Sequence, residues 1–124
     1  MKIILCGHGY YGNALKESAE MIAGSQPQLT AIDFTPELAV KDLVMKMQEV
    51  ILENEHEEII ILTDIPGGSP ANAATLCKKL YPTIHVVTGC SLVLLLSLLL
   101  TKDISEACQD GQQAMQEIRL EEMK

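Results

Sequence analysis

The stretch EIIILTDIPGGSPANAA, residues 58–74, decides the fold of this chain. Its first part, Glu58–Thr63, is an apolar run rich in β-branched residues, which predicts a buried strand. The loop Asp64–Ser69 follows, and Pro70–Leu80 has the pattern of a helix. A strand that passes through a short loop into a helix is typical of a βαβ unit, so the stretch predicts an α/β protein.

The same alternation of strands and helices continues in both directions along the chain. Further strands are predicted at Lys2–Cys6, Gln28–Phe34 and Ile84–Thr88, and further helices at Gly12–Ala23, from Thr35 to about Glu53, at Ser91–Thr101 and at Ser105–Ile118. Thr35 is expected to cap the second helix, with Pro36 at its first position. We expect a doubly wound α/β fold: a mostly parallel four-stranded sheet with helices on both faces and a short C-terminal edge strand at Glu117–Leu120.

The composition is that of one domain, expected to span residues 1–124. Hydrophobic residues make up 48% of the chain and aromatic residues only 3%, so the predicted core is aliphatic. The net charge of −8 argues against nucleic acid and anionic membranes as partners, because both are bound with Lys and Arg. The four cysteines form no C-x-x-C pair, so we expect reduced thiols in a cytoplasmic protein.

The most apolar segment of the chain is Leu92–Leu100. It is too short to span a bilayer, so a buried helix is predicted. Because this helix is apolar nearly all the way round, it has to be buried on more than one side, either within the chain or against a second subunit. The N-terminus has one Lys and only a short apolar stretch before Gly7, which is not the pattern of a signal peptide.

A histidine follows the first predicted strand, in Gly7-His8-Gly9. Open α/β sheets place their sites at the carboxyl ends of strands. The flanking glycines allow the backbone and a ligand to approach closely, and a neutral imidazole is a nucleophile and a proton carrier near neutral pH. His8 is therefore a candidate catalytic residue. The alternative is a histidine that only caps a turn.

Asp64 follows the third strand and is expected at the same edge of the sheet as His8. If the first and third strands are neighbours, its carboxylate faces the imidazole, fixes its tautomer and stabilises the positive ring that forms on substitution. The loop residues Gly67, Gly68 and Ser69 precede the helix, and their N–H groups together with the helix dipole predict a phosphate site. Ser69 is the expected helix cap. The glycine spacing matches neither a Walker A loop nor G-x-G-x-x-G, so no nucleotide is implied.

Two other interpretations of these residues are weaker. A hydrolase with Ser69 as nucleophile, His8 as base and Asp64 as the orienting group lacks the G-x-S-x-G elbow. A metal site made of His8, Asp64 and Cys90 lacks a histidine pair or a second nearby carboxylate. We therefore expect no metal and no cofactor.

The combination of these motifs resembles a known family. Gly7-His8-Gly9 after a first strand, followed by Asp64 and by Gly67–Ala74, is similar to the enzyme IIA component of the mannose-type (mannose/fructose/sorbose) phosphoenolpyruvate-dependent sugar phosphotransferase system. Ile32–Phe34 at the end of the second strand is also similar to that family. The resemblance covers essentially the whole chain.

The resemblance implies a cytoplasmic phosphotransferase with a doubly wound fold, usually a homodimer, that uses a phosphohistidine. His8 would take a phosphoryl group from phospho-HPr and pass it to enzyme IIB, which phosphorylates the incoming sugar. Asp64 would orient His8, and Ser69 with the backbone N–H groups of Gly67 and Gly68 would receive the phosphate. Contact with the membrane would be indirect, through the enzyme IIC and IID subunits.

One segment departs from the family pattern, and two related functions stay open. After the fourth strand the family often has Gly-x-Asn-Leu-Pro, whereas Gly89–Val93 has Ser91 and Val93 in place of the Asn and the Pro. Ser91 can still cap the helix. Domains that resemble enzyme IIA also donate phosphoryl groups to dihydroxyacetone kinase or occur as regulatory domains within transcriptional regulators, and these are the alternatives to a carrier for sugar uptake.

Overall fold

The computed structural model describes residues 1–123 and contains the alternating strands and helices that the sequence predicts. The elements in chain order are β1 (Lys2–His8), α1 (Tyr11–Ala23), β2 (Leu29–Phe34), α2 (Val40–Glu53), β3 (Ile59–Thr63), α3 (Ser69–Leu80), β4 (His85–Val87), α4 (Leu92–Thr101), α5 (Ile104–Gln113) and a 3₁₀ helix (Leu120–Met123). The chain divides into two compact units, Met1–Cys90 and a second that begins at Ser91.

All four strands form one parallel sheet in the order β2-β1-β3-β4. β1 lies in the centre, and Cys6 is paired with Ile32 of β2 on one side and with Thr63 of β3 on the other. Parallel neighbours end at the same edge of a sheet, so the carboxyl ends of β1 and β3 are adjacent. The predicted doubly wound α/β fold with a parallel four-stranded sheet is confirmed.

Apolar side chains cover both faces of the sheet. On one face, Ile4, Cys6 and Ile61 pack with buried residues of α2 and α3 in a single aliphatic cluster. The alternate residues Ile3 and Leu5 are also fully buried, and α1 packs against β1 and β2. Burial of each such aliphatic side chain stabilises the fold by about 1.5–3 kcal/mol. The strand ends that carry polar residues are therefore attached to a rigid support.

The start of α2 differs from the prediction. We expected Thr35 as the cap and Pro36 in the first turn, but α2 begins at Val40. The Thr35 hydroxyl donates to the carboxylate of Glu37 at 2.5 Å, and Thr35 and Leu38 close a separate turn. The carboxylate of Asp42 accepts the backbone N–H of Ala39 at 2.8 Å. Asp42 therefore provides the contact that satisfies the N-terminus of the helix.

In the second unit, α4 begins where predicted. The Ser91 side chain accepts a hydrogen bond from the backbone N–H of Leu94 at 3.2 Å, which confirms Ser91 as the cap. α5 packs against α4, and the hydroxyl of Ser97 donates to Asp110 at 2.6 Å. None of the helices within residues 1–123 is long and apolar enough to cross a membrane.

The predicted edge strand at Glu117–Leu120 is wrong. α5 ends at Gln113, the residues up to Arg119 form no regular element, and a 3₁₀ helix begins at Leu120. Ile118 and Leu120, which would lie on one face of a strand, are 75% and 78% exposed. The segment therefore lacks the half-buried face that stabilises a strand.

Candidate functional site

The neighbouring strands β1 and β3 bring His8 and Asp64 together at their carboxyl ends. His8 is the last residue of β1, and Asp64 directly follows β3. The imidazole Nδ1 of His8 lies 2.6 Å from Oδ2 of Asp64, and the backbone N–H of His8 donates to the same oxygen at 2.9 Å. The predicted juxtaposition of the two side chains is confirmed.

Asp64 is a carboxylate at neutral pH. Burial raises its pKa, but hydrogen bonds from the backbone and ring of His8 and from the backbone of Ile65 outweigh burial and leave the pKa of Asp64 below its ordinary value. Because an ionised carboxylate only accepts hydrogen bonds, Nδ1 carries the proton in the neutral ring, and Nε2 of that neutral ring has the free lone pair. The side chain of His8 is 48% exposed and that of Asp64 is 12% exposed, so the imidazole is open to another molecule while its partner is shielded.

The glycine loop lies directly against the imidazole. A Cβ atom added to Gly68 would lie 2.9 Å from Cε1 of His8 and 3.1 Å from Cγ1 of Ile65, so even a methyl group there would displace the imidazole. Gly67 has a φ angle of +80°, a left-handed conformation that favours glycine. The Asn72 side chain donates to the carbonyl of Gly67 at 3.3 Å and ties the loop to α3. Gly67 and Gly68 therefore lie where they were expected.

Ser69 is not the cap of α3 but its first residue. The cap position belongs to Gly68, whose carbonyl accepts the backbone N–H of Asn72 at 2.9 Å. The helix thus begins one residue earlier than the sequence pattern predicted, and Pro70 occupies the first turn. Ser69 thus lies at the N-terminus of α3, next to the glycine that contacts His8.

Phe34 is a neighbour of His8 that the sequence-based site did not include. Its ring packs edge-on against the imidazole, with 5.6 Å between the ring centroids and an angle of 78° between the planes. The backbone of Phe34 is fixed by Gly9, because each donates its N–H to the carbonyl of the other. The available signal was the position of Phe34 at the end of β2, beside β1. Phe34 and Gly68 both contact the ring whose Nδ1 bonds Asp64.

The other interpretations find no support in the geometry. Among residues 1–123, no cluster of three or more His, Cys, Asp or Glu side chains is arranged to hold a metal ion. The hydrogen bonds of the same residues include none from Ser69 to His8, which a serine hydrolase would use to activate its nucleophile. The site therefore consists of an accessible imidazole with a fixed tautomer, beside a glycine loop and the N-terminus of α3.

Residues 2–115 match the family EIIA-man, described as the fructose IIA component of the phosphotransferase system (PTS). The chain belongs to this EIIA family. Its members are components of the sugar phosphotransferase system, and this chain is accordingly a phosphotransferase that carries phosphoryl groups within such a system. The mannose-type resemblance drawn from His8, Asp64 and Gly67–Ala74 is confirmed.

Individual EIIA proteins are similar over most of the chain. The sorbose-specific EIIA component of Lacticaseibacillus casei is 36% identical over 96 residues, which cover 77% of this chain and 70% of the relative. The fructose-specific EIIA component of Bacillus subtilis (strain 168) is 33% identical over 100 residues, 80% of this chain and 68% of the relative. The solved mannose/sorbose-specific IIA subunit from Enterococcus faecalis superposes with a TM-score of 0.88 at 25% identity, covering 95% of this chain and 94% of the other.

Proposed function

We propose that His8 carries the phosphoryl group, and that Nε2 accepts it from phospho-HPr and passes it to enzyme IIB. The observation that carries this proposal is the 2.6 Å hydrogen bond between Nδ1 of His8 and Oδ2 of Asp64. It keeps the proton on Nδ1 and leaves the lone pair on Nε2, and a nitrogen lone pair is what attacks phosphorus.

In the proposed step, the Nε2 lone pair forms a bond to phosphorus. The bond between phosphorus and its donor atom on HPr breaks, and its electron pair returns to the donor. Because Nδ1 keeps its proton, the imidazole becomes a phosphorylated cation, and the negative charge of Asp64 stabilises it. Transfer to enzyme IIB reverses this step with a new acceptor. No proton has to leave His8 in either direction.

The phosphoryl oxygens are proposed to bind at the Gly67-Gly68-Ser69 loop. At Gly68 the loop lies directly beside the imidazole. It leads into α3, which has 12 residues and therefore a full helix dipole. The positive end of that dipole, backbone N–H groups and the Ser69 hydroxyl favour negative charge at this position. On this proposal Asp64 stabilises the ring and the loop stabilises the phosphoryl group.

The surroundings of His8 fit a protein as the other reactant. Tyr10 and Ile65 flank the His8–Asp64 pair in sequence and are 68% and 58% exposed. Exposed apolar side chains around a reactive group are typical of a docking surface for a protein. We infer that HPr and enzyme IIB contact these two side chains in turn.

We further propose that the chain is a single functional domain and works in the cytoplasm as a homodimer, reaching the membrane only through enzyme IIC and IID. The cytoplasmic location follows from the proposed exchange of phosphoryl groups with HPr and enzyme IIB. In support of the homodimer, the leucine-rich helix α4 exposes Val93 (41%) and Leu100 (84%) in the single chain, and such side chains are buried when two copies associate. A monomer mass in analytical ultracentrifugation would contradict this assembly.

The direct test of the function is phosphorylation from phosphoenolpyruvate through enzyme I and HPr. Intact mass spectrometry should find one phosphoryl group that is labile in acid and stable in alkali. A His8→Ala variant should accept none. The matched control is His85→Ala, because His85 begins β4 at the opposite end of the sheet, where its Nε2 lies 3.3 Å from the carboxylate of Glu58. Phosphorylation of His8→Ala at the wild-type rate would overturn the assignment.

A further inference from the structure

Tyr11, the first residue of α1, joins two segments that are 79 residues apart. Its hydroxyl donates a hydrogen bond to the backbone carbonyl of Cys90, and the bond is partly buried. Tyr11 belongs to the turn that begins at His8, whereas Cys90 follows β4. The bond therefore ties the turn after β1 to the loop after β4.

The loop that Tyr11 holds is the same one that holds the backbone of Asp64. The N–H of Gly89 donates to the carbonyl of Asp64 at 2.5 Å, and the N–H of Cys90 donates to the carbonyl of Thr63 at 2.9 Å. Asp64 in turn accepts two hydrogen bonds from His8. These contacts form a closed circuit that runs from His8 through Tyr11, the 89–90 loop and Asp64 back to His8.

The ring of Tyr11 has room because Gly7 has no side chain. A Cβ atom on Gly7 would lie 2.6 Å from Cδ1 and 2.8 Å from Cβ of Tyr11. Gly7 immediately precedes His8, so the ring packs on the backbone of the reactive strand end. Tyr11 thus packs against the end of β1 at Gly7 and donates a hydrogen bond to the 89–90 loop.

The hydroxyl of Tyr11 remains a donor at physiological pH. Burial, followed by the charges of Cys90 and Asp64, raises the pKa of Tyr11 above its ordinary value of 10.0. A protonated phenol keeps its hydrogen bond to the Cys90 carbonyl.

We propose that Tyr11 is a positioning residue for the His8–Asp64 pair, acting through its hydrogen bond to Cys90. It holds the Asp64 backbone at the distance from β1 that allows Oδ2 to fix the proton on Nδ1. The consequence for the rate of phosphoryl transfer rests on the function proposed above, whereas the consequence for the tautomer of His8 does not.

The test is a Tyr11→Phe variant, which keeps the ring and removes the hydroxyl. Nitrogen-15 NMR of the unphosphorylated protein should find the proton of His8 on Nδ1 in the wild type, and a mixed tautomer with faster exchange of that proton in Tyr11→Phe. With phospho-HPr as donor, the saturating transfer rate should fall about fivefold, the effect of one lost neutral hydrogen bond. The HPr concentration at half-saturation should stay unchanged, because the variant keeps its docking surface.

The matched control is Tyr81→Phe. It removes a hydroxyl that accepts from Gln48 at 3.5 Å and lies outside the site, so it should leave both the NMR signature and the transfer rate as in the wild type. A Tyr11→Phe variant with the wild-type tautomer and rate, whether or not its melting temperature falls, would overturn the proposal. If wild-type protein accepts no phosphoryl group from HPr, the proposed function fails, and the NMR comparison still decides the role of Tyr11.

Discussion

A single oxygen, Oδ2 of Asp64, accepts hydrogen bonds from both the ring and the backbone of His8, at 2.6 and 2.9 Å. One carboxylate therefore fixes where the end of β1 lies and which nitrogen of the imidazole carries the proton. The two effects separate in experiments, because a neutral amide can replace the oxygen but not the charge.

Asp64→Asn is expected to fold and to transfer phosphoryl groups slowly. The amide removes the negative charge that stabilises the phosphorylated imidazole cation, and loss of a charge-assisted hydrogen bond costs about 1.5–3 kcal/mol, or roughly ten- to a hundredfold in rate. The measurement is the single-turnover rate of transfer from phospho-HPr. Glu58→Gln is the control, since its carboxylate pairs with His85 at the other end of the sheet. An unchanged rate in Asp64→Asn would exclude Asp64 from the mechanism.

Asp64 should also contribute to the stability of the fold in a pH-dependent way. Its pKa in the folded chain lies below the ordinary value of 3.8, so the folded state binds this proton less readily than the unfolded state. The contribution is complete above about pH 4 and is lost as the pH falls through the folded pKa. Urea unfolding of wild type and Asp64→Asn should give a stability difference that shrinks as the pH falls below 4. A difference that grows in acid would mean that the pKa of Asp64 is raised.

Gly68→Ala should displace the imidazole and slow phosphoryl transfer. The new Cβ would lie 2.9 Å from Cε1 of His8, and the half-exposed ring is free to rotate away from it. Rotation breaks the bond from Nδ1 to Asp64, so the transfer rate should fall about tenfold or more, and the free energy of unfolding should fall by about 1 kcal/mol, the contribution of one partly exposed hydrogen bond.

Gly24→Ala provides the comparison for Gly68→Ala. Gly24 has a φ angle of +82° and open space around its Cβ position, so alanine there strains only the backbone. It should lower stability by about 1–3 kcal/mol and leave transfer unchanged. If Gly68→Ala behaves in the same way as Gly24→Ala, the loop does not constrain His8.

Ile65→Glu is expected to weaken docking and to leave the chemical step intact. Ile65 is 58% exposed beside the His8–Asp64 pair, and a charge at the centre of an apolar contact typically costs more than 1 kcal/mol. The HPr concentration at half-saturation should rise about tenfold, with a near-normal saturating rate. Leu80→Glu is a matched control, because Leu80 is also 58% exposed but ends α3. If Ile65→Glu and Leu80→Glu change the HPr concentration at half-saturation equally, HPr does not dock at Ile65.

The parts of the fold and site that depend on strand order could be predicted from the sequence. Apolar runs such as Ile59–Thr63 identify buried strands, and parallel strands place the residues that follow them at one edge. That reasoning was enough to bring His8 and Asp64 together. It also placed Gly67 and Gly68 near the pair, because the loop between β3 and α3 is only a few residues long.

The parts that depend on side-chain direction and local competition could not be predicted. Thr35 has the residue type of a cap, but its hydroxyl bonds Glu37 instead, and α2 starts later. Ser69 has the residue type of a cap, but α3 begins one residue earlier, with Gly68 at the cap position and no side-chain hydrogen bond there. The bond from Tyr11 to Cys90 joins two loops, and no periodicity in the sequence reports which way a loop side chain points.

The double attachment of His8 to Asp64 bears on the energetics of a relay. On the proposed function, the two bonds to Asp64 hold the ring and the backbone of His8 before a phosphoryl group arrives, so receiving or releasing it needs little reorganisation. Little reorganisation lowers the barrier of each transfer in the forward and reverse directions alike, so it raises the rate and leaves the equilibrium unchanged. The direction of net transfer then depends on the donor and the acceptor and on how much of each is phosphorylated. The carrier itself can pass a phosphoryl group either way.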